Sequence, residues 1–466
     1  MMMTITWLGL IASIAAFCNL WPRFCFFICF LCFLAFVTAA QDFSSYQSDS
    51  MLLEAGFLAL FFTPRGLWPG WGTTSPPARA SLFLLQFEWF RIYFESGLVK
   101  LLSGDTEWRN FTAMDEYYQN GPLPTWIGWY VEHLPHWFHA ATVVGTLTME
   151  LAVVWMLFLP RRARFLCFCI VTPWEIGVIL TANYTFLNYL VLALGFLLLD
   201  DQSARWLLPR RLHSYLPEPS TVEAAPQNEI SLSLLQSPDD LENPGAKKTG
   251  DQPATPRLTV YFQAARICTT SLMLVWMAYA TTAEMIRILW SDLPLPVAPI
   301  VALEPFRIAN QYGLFAVMTH GRYEIEFQGS NDGQNWTPYL FRYKPQALNE
   351  APRIYAPYQP RFEWNLWFAS LGDWQQSNFV ALTEERLLEN DTDVLRLFQR
   401  NPFGETSPRY VRAVLWQYWF TSMDEKQHNG NWWRRSLIGL YAPVLTQQPD
   451  GKFGVVEWPQ ELPPHG

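Results

Sequence analysis

Residues 82–137 read LFLLQFEWFRIYFESGLVKLL and then SGDTEWRNFTAMDEYYQNGPLPTWIGWYVEHLPHW. The first part, 82–102, is long enough to cross a bilayer as a helix, which takes about 20 mostly apolar residues. Glu88, Arg91 and Glu95 interrupt it at spacings of three and four, so they share one helical face. Charge in hydrocarbon is costly, so such residues face a bundle interior and are paired there. The stretch predicts a helix inside a membrane bundle that opens into a polar, aromatic-rich loop at 103–137. Function is expected next to that face and that loop. Lys100 lies about 120° around the same helix near its end, where it is expected to snorkel to the interface.

The surrounding chain has the composition of a membrane protein. Of its 466 residues 50% are hydrophobic, 16% aromatic and only 16% charged, against the quarter charged that is usual in soluble domains. Apolar runs at 4–20, 24–40, 51–62, 82–102, 138–159, 165–180, 183–199 and 260–290 predict an α-helical multi-pass bundle of about seven to eight spans. The 51–62 run is short enough to be re-entrant, Trp21-Pro22-Arg23 separates the first two runs, and Pro173 is expected to kink the sixth. Basic residues in short loops set orientation. Arg161, Arg162, Arg164, Arg205, Arg210 and Arg211 place their loops in the cytoplasm, which leaves loop 103–137 and everything after 290 on the exported side. The same count puts the amino terminus outside although it lacks a signal-peptide pattern, which suggests a missing first helix.

Four segments follow. Residues 1–211 form the multi-span domain, and 212–257, rich in Pro, Ser, Glu, Asp and Gln, are expected to be a disordered cytoplasmic linker. Residues 258–290 are the last membrane helix, and 291–466 a β-rich extracytoplasmic domain with short helices. In that domain Tyr323, Ile325 and Phe327 alternate with polar residues, and Asn331-Asp332-Gly333 supplies a turn before Trp336, Tyr339, Phe341 and Tyr343, so a hairpin is expected. Helices are predicted at 361–371 and 380–399 and strands at 410–420 and 431–442, with many Trp and Tyr exposed.

Several function classes are disfavoured. A net charge of −9 and a pI near 5.4 argue against nucleic-acid binding. The seven cysteines sit in or beside apolar runs, where a thiol behaves as a small hydrophobe. His133, His136 and His139 invite a metal, but Pro135 breaks the helix that would align them. No nucleophile elbow, P-loop or HExxH motif is present. No cofactor or metal is expected.

The run Gly97-Leu98-Val99-Lys100-Leu101, followed by Gly104, Asp105, Trp108, Arg109, Thr112 and Asp115, resembles the central signature of the lipase maturation factor family. Similar to family motifs are also Leu53-Glu54-Ala55-Gly56-Phe57-Leu58, Pro122-Leu123-Pro124, and Asn183-Tyr184-Thr185-Phe186-Leu187-Asn188. Tyr312-Gly313, Gln359-Pro360-Arg361, Trp364, Trp367-Phe368-Ala369, Asn401-Pro402-Phe403 and Trp432-Trp433 extend the match, in order, over about residues 10–445. Glu107 stands where animal members often carry a cysteine, and Glu95-Ser96 replaces a small Gly-Ala pair, so the chain resembles a bacterial-type member.

The resemblance implies a membrane-embedded, chaperone-like factor for exported proteins such as lipases. Its site would be an inner membrane if bacterial, or the endoplasmic reticulum membrane if eukaryotic. The partners implied are the bilayer and an exported client. Gly104, Asp105, Trp108, Arg109, Thr112 and Asp115 are then either client-binding residues or the structural signature of the loop. The Glu88, Arg91 and Glu95 face is either an ion-pair lock between helices or part of a ligand cavity. A second reading remains open, an integral membrane enzyme related to the γ-carboxylase-like membrane family that uses the buried carboxylates.

Overall fold

A computed structural model describes residues 2–44, 46–70, 75–211 and 257–460 of the protein. The helical part begins with a hairpin of α1 (Met2–Phe17) and α2 (Pro22–Ala40), followed by α3 (Gln47–Phe62) and α4 (Arg79–Leu102). Next come the short helices α5 (Thr106–Asn110), α6 (Tyr117–Asn120) and α7 (Trp126–Glu132), then α8 (His136–Leu151), α9 (Arg161–Thr181) and α10 (Leu187–Gly195). The stretch quoted at the outset is thus the hub, since α4 packs against α3, α8 and α10 at once. Gly97 allows that closeness, because a Cβ there would stand 2.8 Å from Leu151 and 2.9 Å from Glu150 of α8.

The chain divides into two compact units, residues 1–198 with 278–466, and residues 199–277. The described part of the second consists of α11 (Asp201–Leu207) and the amino-terminal portion of α12 (Arg257–Leu289), which then enters the first. The linker expected at 212–257 lies outside the described residues up to Arg257, where α12 begins.

Among the described residues four helices are long and apolar enough to cross a membrane, Pro22–Phe43, His136–Phe158, Arg161–Thr181 and Tyr261–Leu289. Met2–Phe17 and Leu187–Leu198 are apolar but shorter. The seven to eight spans expected from hydropathy are not confirmed. α3 has 16 residues, and α4, though 24 residues long, carries the three charges discussed above. Pro173 lies inside α9, which continues past it.

The carboxy-terminal part is built on one sheet with the order β2-β1-β3-β5-β6, β4 pairing with β3 off that path. The strands are β1 (Arg322–Ser330), β2 (Thr337–Pro338), β3 (Tyr410–Phe420), β4 (Trp433–Leu440), β5 (Val444–Gln447) and β6 (Phe453–Glu457), all antiparallel where they pair. The expected hairpin forms but is short: β2 matches β1 at two residues, while on the other edge of β1 the strand β3 pairs along its whole length, from Arg322–Tyr418 to Ser330–Tyr410. The predicted helix over 380–399 divides into Phe379–Leu388 and Thr392–Leu395, the second capped by the Asp391 side chain.

Of the tyrosines expected at the surface, Tyr323 and Tyr339 lie in the core, where they pack with Phe327, Phe341, Phe362 and Phe398 under the sheet. The opposite face of β1 is not wet either, because Arg322, Glu324, Glu326, Gln328 and Ser330 are all buried. Lys344 meets Glu324 at 2.7 Å, Arg435 meets Glu326 at 3.0 Å, and Arg412 Nε donates to Gln328 Oε1 at 2.8 Å. The period-two pattern reports the strand correctly, while the polar side is covered by partners from other segments.

Candidate functional site

The charged face of α4 is a closed network. Arg91 is fully buried and pairs with Glu54 of α3 and, at 3.6 Å, with Glu95 one turn on. Its Nη1 donates to the Asn310 carbonyl at 2.8 Å. Glu54 Oε2 accepts from the Tyr312 hydroxyl at 2.8 Å and from Asn310 Nδ2 at 3.1 Å, and Glu95 Oε2 accepts from Tyr312 N at 2.7 Å. Glu88 is buried beside this group, and neither of its carboxyl oxygens has a hydrogen-bond partner among the described residues. The network ties α3, α4 and the segment after α12 into one piece.

That segment, residues 310–321, is an irregular strap without ladder partners, so its backbone groups need side chains to satisfy them. The candidate residues supply them in order. Leu314 N donates to Ser96 Oγ at 3.3 Å, and the Phe315 carbonyl accepts from Trp108 Nε1 at 3.0 Å. Met318 N donates to Asp105 Oδ2 at 2.7 Å, and the Thr319 carbonyl accepts from Asn120 Nδ2 at 2.8 Å. Gly313 passes over Val99, where a Cβ would approach Cγ2 to 3.3 Å.

The six signature residues of the loop divide by role. Asp105 also caps α5 through Glu107 N, and Trp108 is buried, so its indole is no surface anchor. Thr112 donates to Glu107, which occupies the position noted for cysteine in animal members. Gly104 takes a left-handed φ of +85°, which turns the chain out of α4. Arg109 donates to the Leu101 carbonyl at 2.9 Å from an exposed position, and Asp115 contacts His136 Nδ1 at 3.0 Å. His133 and His139 use ring nitrogens on carbonyl oxygens, and no metal-competent cluster occurs among the described residues.

Lys100 departs from expectation. It is buried rather than snorkelling, with Nζ 2.7 and 2.9 Å from the Glu150 oxygens of α8 and 5.0 Å from the Trp108 ring. The i,i+4 logic that found the other charges cannot see a partner on a different helix.

Lys100, Glu150 and Trp108 stand on the wall of a cavity of about 690 Å³. Helices α4, α8, α9 and α10 form its sides, and the strap, the loop and helix Arg361–Ala369 close it. Tyr93, Tyr117, Trp174, Glu175, Tyr184 and Asn188 add to a lining that is mostly aromatic and aliphatic. Glu88, Arg91 and Glu95 are not on that wall. The cavity was not legible in sequence, since its wall comes from segments as far apart as Tyr46 and Leu371.

The same junction holds the β-domain. Asn183 donates through Nδ2 to the Leu123 carbonyl at 3.0 Å and the Arg353 carbonyl at 2.7 Å, while its Oδ1 accepts from Tyr355 N at 2.7 Å. Arg361 reaches Asp49 of α3 at 2.6 and 2.9 Å and the Phe43 carbonyl at 2.8 Å. Motifs that are far apart in sequence therefore serve one interface between helices and sheet.

Residues 1–206 match the lipase maturation factor transmembrane domain, and residues 308–443 match the lipase maturation factor C-terminal domain. The chain belongs to the lipase maturation factor family. It is 32% identical over 472 residues to lipase maturation factor 2 of Gallus gallus, covering 87% of this chain and 66% of that protein. With lipase maturation factor 2 of Homo sapiens the identity is 31%, over 87% of this chain and 67% of the relative. With lipase maturation factor 1 of Mus musculus it is 29%, over 92% and 71%. The chain spans about two thirds of the length of the first two. No solved structure matches. The apolar helices and this membership make it a membrane protein of the lipase maturation factor type.

One group of the loop makes the junction pH-sensitive. Glu132, at the end of α7, is pushed up to about 9, first by burial and then by the Glu116 charge beside it. Its folded form thus holds a proton that the unfolded chain releases above the usual carboxylate range. The stability this contributes is present at low pH and is lost as pH rises toward 9. Glu132→Gln is expected to raise the melting temperature at pH 8 and to leave it unchanged at pH 4. Parallel melting curves for the two proteins across that range decide the matter.

Proposed function

We propose that this family member is a chaperone-like maturation factor for exported lipases, working from the exported side of its membrane. The observation that carries the reading is the similarity, along 87% of the chain, to proteins named lipase maturation factors. The basic loops at 161–164 and 205–211 support the orientation. The structure supports a holding role over a reaction, because the signature residues Asp105 and Trp108 bind the protein's own strap. The alternative, a membrane enzyme acting through Glu88 and Glu95, has no observation in its favour, since neither carboxylate reaches the cavity.

The client-facing surface would be the outer side of the loop. Trp126 and Tyr130 of α7 and Trp137 at the start of α8 are exposed by 45%, 44% and 70%. Rigid aromatic side chains of this kind are the usual anchors of protein interfaces. Replacing the three together by Ser should lower the yield of active exported lipase at least about fivefold, the effect of losing roughly 1 kcal/mol of client affinity. The membrane level of the factor should not change. Lipase yield that stays at the unmodified level would defeat the assignment.

A further inference from the structure

One carboxyl group on the cavity wall has no basic partner among the described residues. Lys100 and Glu150 neutralise each other. Glu175 of α9 is buried, its Oε2 accepting from the Tyr93 hydroxyl at 2.6 Å and its Oε1 from Asn188 Nδ2 at 2.6 Å. Among the described residues no lysine, arginine or histidine pairs with it, and the charged neighbour that bears on it is another acid, Glu150. A cation brought beside this acid would supply the pairing that a charge in a bundle interior requires.

The surroundings define which partner fits. Tyr93, Tyr117, Tyr184, Trp174 and Trp364 line the same space, and aromatic faces attract cations. The volume of about 690 Å³ falls within the range of roughly 300–1,000 Å³ typical of small-molecule sites. Apolar side chains such as Ile92, Val178 and Val191 line the same wall beside the polar group. We propose that the cavity binds a single-chain membrane amphiphile with an ammonium head, the head seated at Glu175 and the chain along the apolar wall. A monocation neutralises the wall, an uncharged head leaves Glu175 unanswered, and a carboxylate head is repelled.

This inference concerns the purified protein alone and does not depend on the client reading. Full-length protein in detergent is titrated with a long-chain primary amine, the alcohol of equal length and the fatty acid of equal length, and occupancy is read by native mass spectrometry. The amine should saturate at one equivalent, about tenfold or more tighter than either competitor, as expected for one gained charge pair. Glu175→Gln should reduce amine binding to the alcohol's level while alcohol binding persists, which reports an intact cavity. Glu175→Asp should keep the preference for the amine. Should the Gln variant not fold, the ranking in the unmodified protein and the Asp variant still decide. Equal binding of the three probes, absence of saturable binding, or an amine preference that survives Glu175→Gln would overturn the proposal.

Discussion

Replacing Arg91 by Met is expected to destabilise the helical part by about 3–5 kcal/mol, the cost of removing one partner from a buried ion pair. Arg91 has no exposed surface, and its guanidinium joins Glu54, Glu95 and the Asn310 carbonyl. Without it three acids, Glu54, Glu88 and Glu95, remain enclosed together, and the strap loses one of its fixed points. The variant should melt far below the unmodified protein in detergent, or fail to accumulate in the membrane. Combining Arg91→Met with Glu54→Gln should recover part of the loss, because the second change removes one of the stranded charges. A melting temperature within a degree or two of the original would show that the network is solvated rather than closed.

The second large effect is expected at Arg322, the first residue of β1. Its Nη1 donates to the Gln119 carbonyl at 2.9 Å and to Gly121, its Nη2 to the Pro122 carbonyl at 3.1 Å, and it pairs with Glu324. The Trp433 ring lies 5.5 Å from its guanidinium carbon. Arg322→Leu strands three carbonyls of the loop in a buried place, each worth about 1–3 kcal/mol when left unpaired. Glu324 keeps Lys344, so the sheet itself has a remaining partner there. The expected outcome is local, with the 119–124 segment released from the sheet and cut early in limited proteolysis. Arg322→Lys should rescue little, since a single ammonium cannot serve a forked set of acceptors. Cleavage that begins elsewhere, with 119–124 still protected, would refute the clamp.

Asn183, Arg322 and Arg361 stand in three separate stretches, yet each ends on backbone or carboxylate groups of a distant segment. Substituting such a residue disturbs the seam between helices and sheet rather than one element.

The chain's periodicities located its elements on their own. The 3.6-residue spacing of 82–102 marks α4 and puts Glu88, Arg91 and Glu95 on one face, and the alternation of Tyr323, Ile325 and Phe327 marks β1. These signals are local, and the local backbone obeys them. Pairing was a tertiary decision, because it depends on which distant segment arrives. The Asn331-Asp332-Gly333 turn brings the short β2 to one edge of β1, but the long partner on the other edge is β3, about 80 positions further along the chain. Lys100 chose Glu150 over the interface because α8 brings that carboxylate within 2.7 Å at a depth where water is excluded. The cavity, too, exists only in three dimensions. Its Glu175, Lys100 and strap are unremarkable in sequence, and packing alone puts them on one wall and leaves a single carboxylate there without a cation.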